Sequence, residues 1–197
     1  MPKDQKSITF PSATKLDLGI NETEDRLVMM AHTQAHGLRG LLLTRRMLAI
    51  LMDHYGKLIK QTSPASKAFH GHQDEILQME HIGALSTSAP QSIPNAEQQQ
   101  LVSVTPSLET IHLVTEVTMQ MNDNHLIIGF SGQQRHAPGI DQTPVAPVTA
   151  INLDRTNAHK FLAMLNDKAK EAGWGLDGRY PWLNSVDLTV PEQRPVN

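Results

Sequence analysis

Three arginines in the first third of the chain have the chemistry to bind an anion. Arg39 precedes the apolar run "LLL", and Arg45 and Arg46 follow Thr44 directly. Thr44 is a typical helix-capping residue, so the last two arginines would lie in a first helical turn, where partial positive charge disfavours cations. A bound anion, held by guanidinium groups and free backbone N–H groups, would offset that cost.

The alternative is that these arginines lie on the solvated side of the helix and pair with carboxylates. Their cost against the helix dipole would then be only about 0.3–1 kcal/mol each. No glycine-rich phosphate loop precedes Thr44, which favours this alternative.

Histidines are the second candidate chemistry, because the chain has 10 of them in 197 residues. Imidazoles bind metals, and the candidate group is His70, His72 and His81, near several carboxylates. On a helix His70 and His72 would point about 200° apart, so they could chelate together only from an extended segment. No three ligands have a recognised metal-binding spacing, and the alternative is a solvated polar surface.

Aromatic residues cluster near the C-terminus as Trp174, Tyr180 and Trp182. An exposed aromatic patch would be a partner-binding surface. The alternative is that these rings close the core over the last helix, where buried aromatics contribute large packing energy.

Catalytic motifs are missing from the sequence. The segment "GFSG", residues 129–132, is not the G-x-S-x-G elbow, and no Walker motif or dinucleotide fingerprint is present. Zero cysteines exclude thiol nucleophiles, disulfides and zinc–thiolate sites. We therefore predict no catalytic residue and no cofactor, and the missing motifs favour a protein without enzymatic activity over an enzyme.

Charge and composition narrow the range of partners. The net charge of −3 argues against a general nucleic-acid binder, which needs a basic surface. The sequence also lacks a signal-peptide pattern and the roughly 18 consecutive apolar residues of a membrane span. These features predict a cytoplasmic protein with no membrane contact.

Periodicity of apolar residues predicts the elements that would position these side chains. Alternating or continuous apolar runs predict three strands followed by a capped helix, and the same order then recurs later in the chain. The predicted strands are 14–20, 25–33, 41–43, 112–121, 125–132 and 148–153, and the helices are 45–60, 64–85 and 155–172. Two of these helices follow a strand directly through a capping residue, Thr44 or Asp154.

This order of elements predicts an α+β fold: an antiparallel sheet from two similar β-hairpin–strand–helix halves, with helices packed on one face. The chain is divided into an N-terminal arm (1–14), a first half with an extra helix (15–85), a linker or mobile loop (86–110), a second half (111–173) and a C-terminal tail (174–197).

Function remains open between two hypotheses. An open sheet leaves edge strands that can pair with another chain, which favours a non-enzymatic protein-binding or adaptor protein that forms a homodimer. The alternative, based on the number of histidines, is a metal-binding protein or metal-dependent enzyme.

Overall fold

Among the described residues, six strands and three helices form in or near the segments where the periodicity of apolar residues predicts them, with some bounds that differ. The computed structural model describes residues 9–34, 36–64, 71–87, 111–122, 125–135, 144–176 and 180–183. The elements are, in chain order, β1 (Ala13–Asn21), β2 (Arg26–Thr33), β3 (Gly37–Thr44), α1 (Arg45–Thr62), α2 (Gln73–Ser86), β4 (Ile111–Asn122), β5 (His125–Gln134), β6 (Ala146–Asp154), α3 (Arg155–Glu171) and a 3₁₀ turn (Pro181–Leu183). The fold is α+β, as predicted.

The six strands form one mixed sheet in the order β1-β2-β3-β4-β5-β6. The prediction of a purely antiparallel sheet is therefore wrong, because β3 and β4 are parallel. Their connection contains α1 and α2, and a helical crossover of this length lets the chain re-enter the sheet in the same direction. The pairs β1–β2, β2–β3, β4–β5 and β5–β6 are antiparallel.

The two edge strands are joined at one end of the sheet. Ser12 forms a parallel bridge with Ala150 of β6. The carbonyl of Pro11 accepts hydrogen bonds from the Ala150 amide at 2.8 Å and from Thr149 Oγ1 at 3.0 Å. The sheet is therefore strongly curved, and the start of β1 is not the free edge that the sequence analysis expected.

One hydrophobic core lies between the sheet and the helices. Side chains alternate along the strands, so every second residue faces α1 and α3. Core residues from the strands and helices include Leu27, Met29, Leu41, Leu43, Leu126, Ile128, Phe130, Leu51, Tyr55, Phe161, Leu162 and Leu165. Tyr55 also donates a buried 2.8 Å hydrogen bond to the carbonyl of Ala158, which ties α1 to α3.

Both strand-to-helix junctions have the predicted caps. Thr44 Oγ1 accepts from the Met47 amide at 3.1 Å, and Asp154 Oδ1 accepts from the Asn157 amide at 2.7 Å. After α3, Gly173 adopts a positive φ of 65°, the conformation that favours glycine at a helix C-terminus.

Some predictions lie outside the described residues or differ in their bounds. Strand β3 begins at Gly37, although 34–40 was predicted as a turn. Most of the predicted arm, linker and tail lies outside the described residues. Among the helices that the structure does describe, none is both long enough and apolar enough to cross a membrane.

Candidate functional site

Polar side chains from three helices meet around Glu80 of α2. Ser63, which follows α1, donates from Oγ to Glu80 Oε1 at 2.7 Å. Arg155, the first residue of α3, donates to Glu80 Oε2 from Nη2 at 2.5 Å and from Nε at 3.2 Å. The carboxylate of Glu80 therefore joins the end of α1 to the beginning of α3.

Arg155 also contacts the last turn of α1. Its guanidinium donates to the carbonyl of Ile59 and to Thr62 Oγ1, each at 3.4 Å. A cation is favourable at a helix C-terminus, where carbonyl groups lack partners. These contacts explain how α3 tolerates an arginine in its first turn.

Two buried histidines and a tryptophan lie beside this ion pair. His81 and His159 are only 2% and 1% exposed, and their ring centroids are 5.5 Å apart. The Trp182 ring lies edge-on to both, at 5.9 Å and 6.1 Å. Among the described residues, neither nitrogen of His159 has a hydrogen-bond partner, and neither do Nδ1 of His81 and Nε1 of Trp182.

The surroundings shift two pKa values strongly. Burial would raise the pKa of Glu80, but its neighbours outweigh that effect and lower the pKa to about 2. The neighbours are His159, whose Nε2 lies 3.6 Å from Glu80 Oε2, then Arg155 and Ser63. Burial, together with the nearby His159, lowers the pKa of His81 to about 4. Both values lie far from neutrality, so neither side chain is tuned for proton transfer there.

A groove of about 430 Å³ lies between α2 and the beginning of α3. Its polar lining comes mainly from the ion pair and His159, and its apolar lining comes from Pro64 and from Gly83 and Ala84 of α2. The lining residues are Pro64, Glu80, Gly83, Ala84, Thr87, Arg155, Thr156 and His159. A half-open groove with apolar walls and a few polar groups suits binding of a side chain or a small molecule.

The three arginines of the predicted anion site do not form one site. Arg45 and Arg46 are exposed in the first turn of α1. Arg39 is half-buried near the beginning of β3, and it lines a separate pocket with His36 and His112.

The predicted metal ligands are also not gathered. His72 is exposed just before α2, with its Nδ1 3.8 Å from Glu75 Oε1. His81, in contrast, is buried on the core side of α2. His70 lies outside the described residues. Within the described ranges, no three His, Asp or Glu side chains are close enough to hold a metal ion.

The C-terminal aromatic residues pack inward in this structure. Trp174 and Trp182 are each 2% exposed, and Trp174 donates from Nε1 to Asp25 Oδ1 at 2.5 Å. Tyr180 packs on Gly56 of α1 and donates to the carbonyl of Asp53 at 2.6 Å. These contacts agree with core closure, and the partner-binding role of the three residues stays a prediction without an exposed ring to support it.

Sequence reasoning missed the central residues of this site, namely Glu80, His159 and Arg155. Glu80 and Arg155 are 75 positions apart, and no short motif links them. The sequence did contain one signal that His81 would be buried. It lies four residues after Leu77 and three before Ala84, which is the spacing of residues on one face of a helix, and this is the buried face of α2.

No family model matches the chain, and no curated protein is significantly similar to it.

Proposed function

We propose that this chain is a protein-binding protein that self-associates through the exposed side of α2. The observation that supports this is that α2 exposes two large apolar side chains on the sides that do not face the core. Leu77 and Ala84 face the core, whereas Met79 is 74% exposed and Leu85 46% exposed. Large apolar side chains exposed this far are favourable sites for contact with a partner, so we expect this side of α2 to be covered in an assembly.

A second copy of the chain fits this face by symmetry. Met79 and Gly83 are one helical turn apart and lie at equal distances from residue 81. If two α2 helices pack antiparallel around that level, Met79 of one copy lies opposite Gly83 of the other. A Cβ at Gly83 would meet nothing within 4 Å, so a second helix has room to approach closely there.

An acidic residue of α2 and a basic residue of α3 complement each other in the same arrangement. Glu75, in the first turn, would lie opposite Thr87 of the second copy, since 75 and 87 are also equidistant from 81. Lys160 is beside Thr87, because its Nζ donates to the Thr87 carbonyl at 2.8 Å. A two-fold interface would therefore place an acid against a base at both of its ends.

Binding is favoured over catalysis at this site for a chemical reason. Glu80 accepts hydrogen bonds on both of its oxygens and has a pKa of about 2, and His81 has a pKa of about 4. A general acid or base works best with a pKa near the working pH. The groove next to Gly83 instead offers space for a side chain of the second copy, such as Met79.

Light scattering coupled to size-exclusion chromatography tests this proposal. The unmodified chain should have the mass of a dimer, and Met79→Glu should have the mass of a monomer, because it would bury two carboxylates against an apolar surface. Met164→Glu is the matched control, since Met164 is an exposed methionine on α3 at 44% exposure. This control should remain a dimer.

Two results would contradict the proposal. One is a monomeric mass for the unmodified chain across the whole accessible concentration range. The other is an equal loss of dimer in Met79→Glu and Met164→Glu, which would indicate a general effect of added charge.

We also infer that the sheet arose from two similar halves. Three observations support this. Both halves have the order β-β-β-α, and the strand-to-helix caps Thr44 and Asp154 occupy matching positions. The third observation concerns the register of the strand pairs. The β1–β2 and β4–β5 pairings each shift register once near their far ends, at Ala13/Lys15 and Val114/Glu116. Superposition of 13–62 on 111–171 tests this, and strands that fail to align would contradict it.

A further inference from the structure

A small basic pocket lies where the strands begin, at the opposite end of the sheet from the two helix caps. Its volume is about 230 Å³, and it is lined by Pro11, His36, Arg39, His112, Pro147 and Val148. These residues come from the segment just before β1, the β2–β3 turn and the beginnings of β3, β4 and β6. The curvature of the sheet therefore gathers them, although they are distant in sequence.

Arg39 is the key residue of this pocket. It pairs in register with Ala31, which is fully buried, so Arg39 is on the face of the sheet that bears the core. The side chain is half-buried, and it forms no ion pair or hydrogen bond with any described residue. Among the described residues the guanidinium N–H groups of Arg39 therefore have no acceptor, and they can donate to an oxyanion that enters the pocket.

Two histidines lie beside Arg39 in the pocket. His112 is in register with Leu41 across the parallel β3–β4 pair, so its imidazole is on the same face as Arg39. His36 lies in the preceding turn. None of the described residues that line the pocket is acidic.

We propose that this pocket binds a small oxyanion, a carboxylate or a phosphate group, through Arg39 flanked by His36 and His112. A guanidinium offers a planar fork of N–H donors that matches two oxygens of such a group. The volume suits a single anionic group and not a whole nucleotide. This inference is independent of self-association through α2, because it depends on different residues at a different end of the fold.

Calorimetric titration with inorganic phosphate, and separately with acetate, tests the proposal at constant ionic strength. At least one anion should bind saturably to the unmodified chain, and the comparison tells which oxyanion the pocket prefers. Arg39→Gln should weaken that binding about tenfold or more, because it removes a charge-assisted hydrogen-bond pair.

Arg45→Gln is the matched control, since it removes the same charge from an exposed residue that does not line the pocket around Arg39. It should change the affinity by less than about twofold. Arg39→Lys keeps the charge without the fork, and should bind with intermediate affinity; it also serves if Arg39→Gln does not fold.

Amide chemical shifts measured during the same titration should change first at 36–40, 112 and 147–148. The proposal is overturned if neither anion saturates, or if Arg45→Gln weakens binding as much as Arg39→Gln. Shift changes centred elsewhere in the chain would equally overturn it.

Discussion

At the residue scale, the most unusual feature is a pair of buried histidines beside an ion pair. His81 and His159 are both almost fully buried, and Glu80 next to them keeps its charge through Arg155 and Ser63. The buried site therefore contains one paired carboxylate and an imidazole, His81, that is neutral at ordinary pH because its pKa is about 4. Such an arrangement makes stability depend on pH.

We predict that acidification from pH 6.5 to pH 4 destabilises the fold through His81. The ordinary pKa of 6.5 falls to about 4 in the folded chain, so in this window the unfolded chain binds more protons than the folded chain. Above pH 6.5 the titration of His81 costs the fold nothing. As the pH is lowered towards 4, it reduces the free energy of unfolding by up to about 3 kcal/mol. Denaturant unfolding at a series of pH values measures this slope.

His81→Phe is the informative variant for that prediction, because it removes the titrating group and keeps a ring next to Trp182. Its stability should depend less on pH between 6.5 and 4. Glu80 contributes in a lower window, since its lowered pKa makes its stabilisation disappear only from about pH 4.5 towards pH 2. An unchanged slope in His81→Phe would show that another group controls the acid response.

At the element scale, the two strand-to-helix junctions use similar caps but treat their first-turn arginines differently. Arg155 of α3 is paired with Glu80 and with the end of α1. Arg45 and Arg46 of α1 are exposed, and no hydrogen bond or ion pair joins them to the described residues. They therefore bear the unfavourable interaction with the helix dipole that their position predicts.

We predict that Arg46→Glu stabilises the fold by about 0.3–1 kcal/mol, because an acidic side chain is favourable in a first helical turn. Chemical denaturation at low salt measures the difference, and added salt should reduce it. A loss of stability would mean that Arg46 makes a favourable interaction that offsets the dipole.

The strands and helices themselves were largely predictable from the sequence, and the error at the beginning of β3 has a local cause. Apolar periodicity located all six strands, but Gly37 and Gly40 made the beginning of β3 resemble a turn. Gly37 is indeed a turn residue, with a φ of 66°. Gly40 instead lies within the strand, where the side chain of Ile111 packs so closely that a Cβ would be 3.2 Å from it.

At the scale of the whole molecule, the sequence could not predict how the strands meet. The parallel β3–β4 pair and the bridge from Ser12 to Ala150 join residues that are far apart in the chain, and neither leaves a periodic signal. The same holds for the pocket around Arg39 and for the ion pair of Glu80 with Arg155. Both depend on tertiary contacts between elements, whereas periodicity reports only local structure.

We predict that Phe10→Ala loosens the junction between the edge strands. The ring of Phe10 covers Gly129 of β5, so its removal exposes the sheet beside the Pro11 hydrogen bonds. The cost should be about 1–3 kcal/mol, below that of a fully buried phenylalanine. Hydrogen exchange at the Ala150 amide should become faster, and unchanged protection there would contradict this role of Phe10.

The most direct test of the central proposal, self-association through α2, uses the absence of cysteines from the chain. Chains bearing Met79→Cys are mixed with chains bearing Gly83→Cys and oxidised, and disulfide-linked dimers are followed on a non-reducing gel. The antiparallel α2 interface places these two positions opposite each other, within the range that a disulfide spans. We predict that the mixture cross-links much faster than a mixture of either chain with Met164→Cys; equal rates in all mixtures would contradict the proposal.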